Sequence, residues 1–140
     1  VRRELGQGLE LDDDRRRIDV AAVHAWLSTE SYWAEGRSYQ VVERTVRDAS
    51  RVVGLYDRGR QIGFARVVSD DLTFAYLADV YVLSGYRGRG LGEALVREAV
   101  DGGRHAGVTW LLHTLDAHDL YRKLGFGEPG ERLMERPRPG

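Results

Sequence analysis

The spacing of apolar positions divides the chain into alternating helical and extended stretches. Val20, Val23 and Leu27 recur at helical intervals behind Asp19, and Tyr39, Val42 and Val46 do the same behind Ser38. Asp19 and Ser38 are side chains suited to capping a first helical turn, so both stretches predict short helices with the named residues inward. Arg51-Val-Val-Gly-Leu-Tyr56 and Gln61-Ile-Gly-Phe-Ala-Arg-Val-Val68 are rich in β-branched and aromatic residues and predict strands, joined by the turn-like Asp57-Arg-Gly-Arg60. Asp70-Asp71 marks a second turn, leading into Tyr76-Leu-Ala-Asp-Val-Tyr-Val-Leu83, a strand that carries Asp79 inside an apolar run. Leu91, Ala94, Leu95 and Ala99 predict a third helix. Ala117, Leu120, Tyr121 and Leu124 predict a fourth, with Asp116 as its N-cap and Gly125 as its stop, and Gly125-Phe126 is expected to enter a last strand.

Between the third strand of this series and the third helix stands Arg87-Gly88-Arg89-Gly90-Leu91-Gly92. A strand that passes through a glycine-rich turn into a helix aims successive backbone N–H groups at one point, where the helix dipole adds partial positive charge. Glycines let that backbone approach a bulky anion, and two arginines supply full charges. The spacing is not that of a P-loop, because no Lys-Ser or Lys-Thr follows any glycine. Nor is it the dinucleotide fingerprint: counting from Gly88 and Gly90 the third position is Glu93, and counting from Gly90 and Gly92 it is Leu95. A diphosphate cradle of the form Arg-x-x-Gly-x-Gly remains, read as Arg87, Gly90 and Gly92.

That pattern resembles the coenzyme A pyrophosphate loop of the GNAT superfamily of N-acetyltransferases. The run Ala117-x-x-x-Tyr121-x-x-x-Gly125-Phe126 is similar to the last block of the same superfamily, and the two blocks occur in its order, about one β-α-β unit apart. Glu30-Ser-Tyr-Trp-Ala-Glu-Gly-Arg37 and Leu77-Ala-Asp-Val-Tyr-Val82 resemble a bacterial subgroup whose acceptors are largely unassigned. The resemblance covers nearly the whole chain. It implies an α/β (α+β) fold: a mixed, mostly antiparallel sheet of six or seven strands flanked by about four helices, with strands splayed at the coenzyme A site. Many members carry Asn seven residues before the tyrosine, where it touches the pantetheine arm; this chain has Thr114.

Composition sets outer bounds. The 140 residues suit one domain spanning 1–140, with 137–140 expected to fray, and 42% hydrophobic content is ordinary for a soluble chain. No apolar run approaches a membrane span and the first residues lack a signal-peptide core, so no membrane partner is expected. The absence of cysteine excludes disulfides, thiolate metal sites and an acyl-cysteine intermediate, and suits a cytoplasmic protein. A net charge of −1 provides no basic field for nucleic acid. The one basic run, Arg15-Arg16-Arg17, follows Asp12-Asp13-Asp14 and is expected to form a solvated, self-compensating loop. The four histidines show no metal-ligand spacing, so no metal is expected; His105 and His118 read as surface or capping residues, and His113 as a candidate proton relay.

The resemblance then distributes roles. Amides from Arg87, Gly88, Arg89, Gly90, Leu91 and Gly92 would hold the pyrophosphate of acetyl-CoA, with Thr114 near the pantetheine arm. The backbone of Val82 would pair with pantetheine amides and stabilise the oxyanion. A tyrosine has an unperturbed pKa of ~10, so Tyr121 is protonated at neutral pH and suited to protonate the departing thiolate. Asp79 is expected to serve as base or ammonium anchor, or else to pair with Arg66 on the neighbouring strand. A carboxylate at ~3.9 faces a mismatch of ~6 units against an alkyl ammonium, which weakens direct abstraction. Ser31-Tyr-Trp-Ala-Glu-Gly-Arg-Ser-Tyr39 is unusually aromatic for a polar link, so Trp33 and Tyr39, with Arg66, are candidates for binding the acceptor, and Glu35 and Arg37 for reading its charge. The implied reaction is direct transfer of acetyl to a primary amine, on a small molecule or peptide, by a chain that, like many members, could form a homodimer. A non-catalytic acyl-CoA sensor of the same fold is the competing reading.

Overall fold

A computed structural model describes residues 1–139; Gly140, within the tail expected to fray, lies outside the described residues. The elements are β1 (Arg2–Gly6), β2 (Leu9–Asp12), α1 (Val20–Glu30), α2 (Tyr39–Asp48), β3 (Arg51–Asp57), β4 (Arg60–Ser69), β5 (Phe74–Val82), α3 (Leu91–Asp101), β6 (Thr109–Leu112) and α4 (His118–Arg122). The six strands form one open sheet in chain order. Every neighbouring pair is antiparallel except β5 and β6, which α3 connects in parallel. The mixed sheet with four helices is the architecture expected from the sequence.

Each helix forms where its caps and apolar spacing place it. Asp19 accepts from the Ala22 N–H at the start of α1, and Ser38 accepts from the Val41 N–H at the start of α2. Val23 and Leu27 of α1 and Val42 and Val46 of α2 pack with Val52, Phe64 and Tyr81 on one face of the sheet. On the other face α3 buries Leu91, Leu95, Val96, Ala99 and Val100 against Val53, Leu55, Ile62, Val67 and Leu77. Burying a side chain of this kind contributes about 1.5–3 kcal/mol.

β5 contains a bulge. Phe64 pairs with Tyr81 and Arg66 with Ala78, so Ala65 stands opposite two residues, Asp79 and Val80. Asp79 takes φ +56° there, a conformation uncommon for a side chain other than glycine. The extra residue reverses the alternation of faces. Ala75 and Leu77 point to the α3 side before the bulge, whereas Val82 points there after it and Tyr81 points to α1 and α2.

Several expectations are corrected. Two strands that the apolar spacing does not mark precede α1, because Gly6 and Gly8, both at positive φ, close a hairpin around Gln7. Tyr39 faces outward and is 44% exposed, packing its ring edge-on to His24 at 5.7 Å. Ala117, not Asp116, occupies the cap position of α4, and Thr114 Oγ1 accepts the Ala117 N–H at 3.0 Å. No strand follows Gly125 among the described residues; Gly127, Pro129 and Gly130 interrupt the segment, and proline cannot donate to a ladder.

The acidic and basic runs are not a solvated loop. Asp12 and Glu10 are buried on β2, where Arg17 reaches both, at 2.9 and 2.7 Å, and lies over the Tyr56 ring. Asp13 accepts from Arg51, whose buried guanidinium also donates to Glu98 Oε2 at 2.8 Å and to the Glu98 carbonyl at 2.8 Å. Gly103 makes room for this pair, since a Cβ there would fall 2.8 Å from the Arg51 guanidinium. His105 is likewise buried, with its Nε2 2.6 Å from Asp71 Oδ1.

Candidate functional site

The sheet opens between β5 and β6. Pairing runs from Phe74–Thr109 to Leu77–Leu112 and then stops, leaving Ala78 to Val82 without a neighbour on that side. Leu83 N donates to the Ile62 carbonyl at 2.9 Å, so the adjacent Val82–Gly63 pair is of the type that does not exchange hydrogen bonds. The Val82 N–H and C=O therefore point away from β4, toward the gap, and Arg87 Nε reaches that carbonyl at 3.3 Å. An exposed strand edge of this kind accepts an extended ligand through its main chain.

At the end of β5 the chain makes a single 3-10 turn over Ser84–Tyr86 and enters the glycine-rich loop. Gly88 and Gly90 take φ +80° and +75°, and Gly90 caps α3 without any side-chain bond. A Cβ added at Gly88, Gly90 or Gly92 would meet nothing within 4 Å. The free amides at the start of α3 thus face open space with room for a bulky anion. Arg89 lies over the Tyr86 ring at 5.5 Å, and the Tyr86 hydroxyl donates to Asp57 at 2.6 Å, tying the loop to the β3–β4 turn. The residues fit the diphosphate of coenzyme A.

A cleft of about 260 Å³ lies where the strands part. It brings together Trp33, Arg66, Asp79, Thr114 and Tyr121 of the residues named from the sequence, along with His113 and Arg37. Tyr39 is not among its lining residues, since α2 carries it outward; Tyr32 lines the wall instead. Asp116, expected only as a helix cap, lines the wall as well, and so does Tyr76, which sequence reasoning passed over. Its place depends on the β5 face, and no local signal in the sequence marks it.

Asp79 is the most heavily engaged group. Its carboxylate is 2% exposed, with Oδ1 accepting from the Trp33 indole at 2.8 Å and Oδ2 from Arg66 at 2.8 Å and Arg37 at 3.1 Å. Two guanidiniums and an indole thus engage both of its oxygens.

Tyr121 is set by the end of α4. Phe126 N donates to the Tyr121 carbonyl at 3.1 Å and Gly125 N to that of Arg122 at 3.2 Å, with Gly125 at φ +93°. This is the Schellman arrangement, and its usual apolar contact is made by the Tyr121 and Phe126 rings, 5.8 Å apart. Burial pushes the Tyr121 phenol up to about 12, and the nearby Tyr32 and Asp116 add to the effect. Thr114 uses an oxygen lone pair on Ala117, which leaves its hydroxyl proton available. His113 is held on both sides, by the Tyr76 hydroxyl at Nδ1 and by Glu135, 2.8 Å from Nε2.

Among the described residues no cluster of three or more histidine, cysteine or acidic side chains could hold a metal ion, and no helix is long and apolar enough to cross a membrane.

Comparison with known proteins agrees with this geometry. A protein assigned to the GNAT family in Xanthomonas campestris pv. campestris shares 38% identity, with a TM-score of 0.87 over 94% of each chain. A Staphylococcus aureus protein with a TM-score of 0.72 is 21% identical, over 94% of this chain and 99% of its own, and shares the fold. A Gibberella zeae protein assigned as an acetyltransferase is 28% identical over 80% of this chain and 75% of its own length. The model of the GNAT acetyltransferase family matches residues 20–126, and with the parted strands and the open loop at α3 in view, this chain belongs to that family.

Proposed function

We propose that the chain is an N-acyltransferase that moves acetyl from acetyl-CoA to a primary amine directly, with both bound at once. One observation carries this reading: β5 parts from β6 beyond Leu77, leaving an unpaired strand edge, and Tyr121 lines the cleft at that opening. Bound acetyl-CoA supplies an activated acyl carbon.

The chain's own groups supply the rest. Amides from Arg87 to Gly92 would hold the pyrophosphate, Arg87 and Arg89 adding charge, and the Thr114 hydroxyl would donate to the pantetheine arm. The Val82 N–H faces the gap and would donate to the carbonyl oxygen as it gains charge, which is worth most where the donor is fixed in advance. Tyr121 keeps its proton at every physiological pH and would give it to the leaving sulfur, whose conjugate acid lies near ~8.5. The attacking amine must lose a proton, and His113 would take it through Tyr76, whose hydroxyl would receive the amine proton as it passes its own to Nδ1, with Glu135 bracing Nε2. Asp79 is a positioning residue that fixes Trp33, Arg37 and Arg66.

Acetyl transfer from acetyl-CoA across an amine panel, followed by release of free thiol, tests the reading. Turnover with a Tyr121→Phe rate about 10²-fold lower supports it. Tight coenzyme A binding with no transfer to any amine would instead identify a sensor.

A further inference from the structure

We infer that the acceptor is a small amine that also carries an anionic group, a carboxylate or a phosphate; the inference rests on the acyltransferase reading above. The cleft is charged at both ends. At one end Arg37 and Arg66 bring two positive charges to a single carboxylate, leaving an excess of one. Asp79 uses only Nε of Arg66 and one terminal nitrogen of Arg37. Among the described residues, both terminal nitrogens of Arg66 and two nitrogens of Arg37 have no hydrogen-bond partner. The two side chains are only 16% and 23% exposed, and both line the cleft. Their free nitrogens are open to the cleft, and the guanidinium fork matches the paired oxygens of a carboxylate or phosphate.

At the other end stands Asp116, beside Tyr121 and without a hydrogen-bond partner among the described residues. It would attract an ammonium to the point where the acyl group is delivered. The cleft therefore matches a molecule with nitrogen at one end and an anion at the other. Its volume, about 260 Å³, lies just below the range of roughly 300–1,000 Å³ typical of drug-sized ligands and suits an amino-acid-sized acceptor. The same two guanidiniums repel polyamines. Trp33 and Tyr32, with ring centroids 5.0 Å apart, add an apolar wall that suits a short carbon chain between the two poles.

The test compares matched acceptors that differ only in the anion: 3-aminopropanoate with propylamine, and O-phosphoethanolamine with ethanolamine, alongside spermidine. The expected result is a kcat/KM about tenfold or more higher for one or both anion-bearing members than for their partners without the anion, with spermidine poorest. The carboxylate and phosphate arms show which anion is preferred. In Arg37→Gln and Arg66→Lys the ratio within each pair is expected to fall toward one. Equal rates within both pairs, a preference for spermidine, or variants that slow both members of a pair alike would overturn the inference, the last indicating a structural role only. If no amine is acetylated, the acyltransferase reading fails by itself. Calorimetric titration of the two anionic amines into the coenzyme A complex then decides this one: binding that Arg37→Gln removes supports it, and absence of binding overturns it.

Discussion

The Trp33 indole N–H donates to Asp79 across 46 residues of sequence, fastening the loop after α1 to the bulge of β5. Arg37 and Arg66 complete the set on the other oxygen, so one buried carboxylate organises the acceptor end of the cleft. Removing it leaves two guanidiniums facing each other. Asp79→Ala is expected to cost about 3–5 kcal/mol of stability, as for other broken buried ion pairs. Urea denaturation measures the loss, and Asp79→Asn, which keeps the shape and an acceptor oxygen, should lose less.

His113 gives a prediction that separates a base from a structural contact. Acceptors of high pKa need deprotonation, whereas aromatic amines are already neutral at pH 7. His113→Gln should lower kcat/KM for alkyl amines by about 10²-fold and leave aromatic amines much less affected. Steady-state rates across amines of graded pKa give the slope, and an equal loss for all would assign His113 to packing.

The loop can be tested without turnover. Gly88 and Gly90 lie at φ +80° and +75°, where a Cβ has open space but a strained backbone. Gly90→Ala should cost about 1–2 kcal/mol through that strain and turn the α3 amides off target. A Kd for coenzyme A raised about tenfold or more, read by calorimetry, is the expected outcome.

Burial raises the phenols of Tyr56, Tyr81 and Tyr121 to about 12 each. In the unfolded chain tyrosine ionises near ~10, so above that pH the unfolded state releases protons that the folded state retains. The stability from keeping these phenols neutral is complete below pH ~10 and is lost as pH rises toward 12. For the almost fully buried Tyr56 and Tyr81 the loss is on the order of 2–3 kcal/mol each. Urea midpoints between pH 9 and 12 should fall, and Tyr81→Phe should flatten the decline.

Arg51 and Glu98 form a second buried pair, joining β3 to the end of α3, 5% and 6% exposed. Either Arg51→Ala or Glu98→Ala should destabilise by about 2–3 kcal/mol, less than for an isolated buried pair because Arg3 still reaches Glu98 and Asp13 still reaches Arg51. Replacing both with apolar residues of similar volume should cost less than either single change, a double-mutant comparison read by thermal unfolding.

Much of this molecule is written locally. The glycines at 88 and 90 and the stop at Gly125 are demands of backbone conformation, so loop and helix ends can be read from single positions. Apolar spacing likewise locates α1, α2 and α3, with Asp19 and Ser38 as their expected caps where a cap side chain exists. Contacts between distant segments leave no such trace. Nothing near Asp79 indicates that Trp33 and Arg37 will reach it, and nothing near Asp13 announces Arg51. Tyr39 was misplaced because the first turn of a helix can rotate an aromatic to either side, and the opposing ring of His24 holds it outside. Tyr76 escaped notice because simple alternation along β5 fails once the bulge intervenes.

The doubled step at Asp79 and Val80 makes the length of β5 as exacting as its composition. Excising either residue would close the bulge: Ala65 would face a single residue, Phe64 and Arg66 would keep Tyr81 and Ala78 as partners, and Tyr81 would stay stacked on Trp26. The place left opposite Ala65 faces α3, so without Val80 the Asp79 carboxylate would turn away from Trp33, Arg37 and Arg66, and without Asp79 those three would have no acceptor at all. A single lost codon there should therefore leave the sheet standing and dismantle the acceptor end of the cleft.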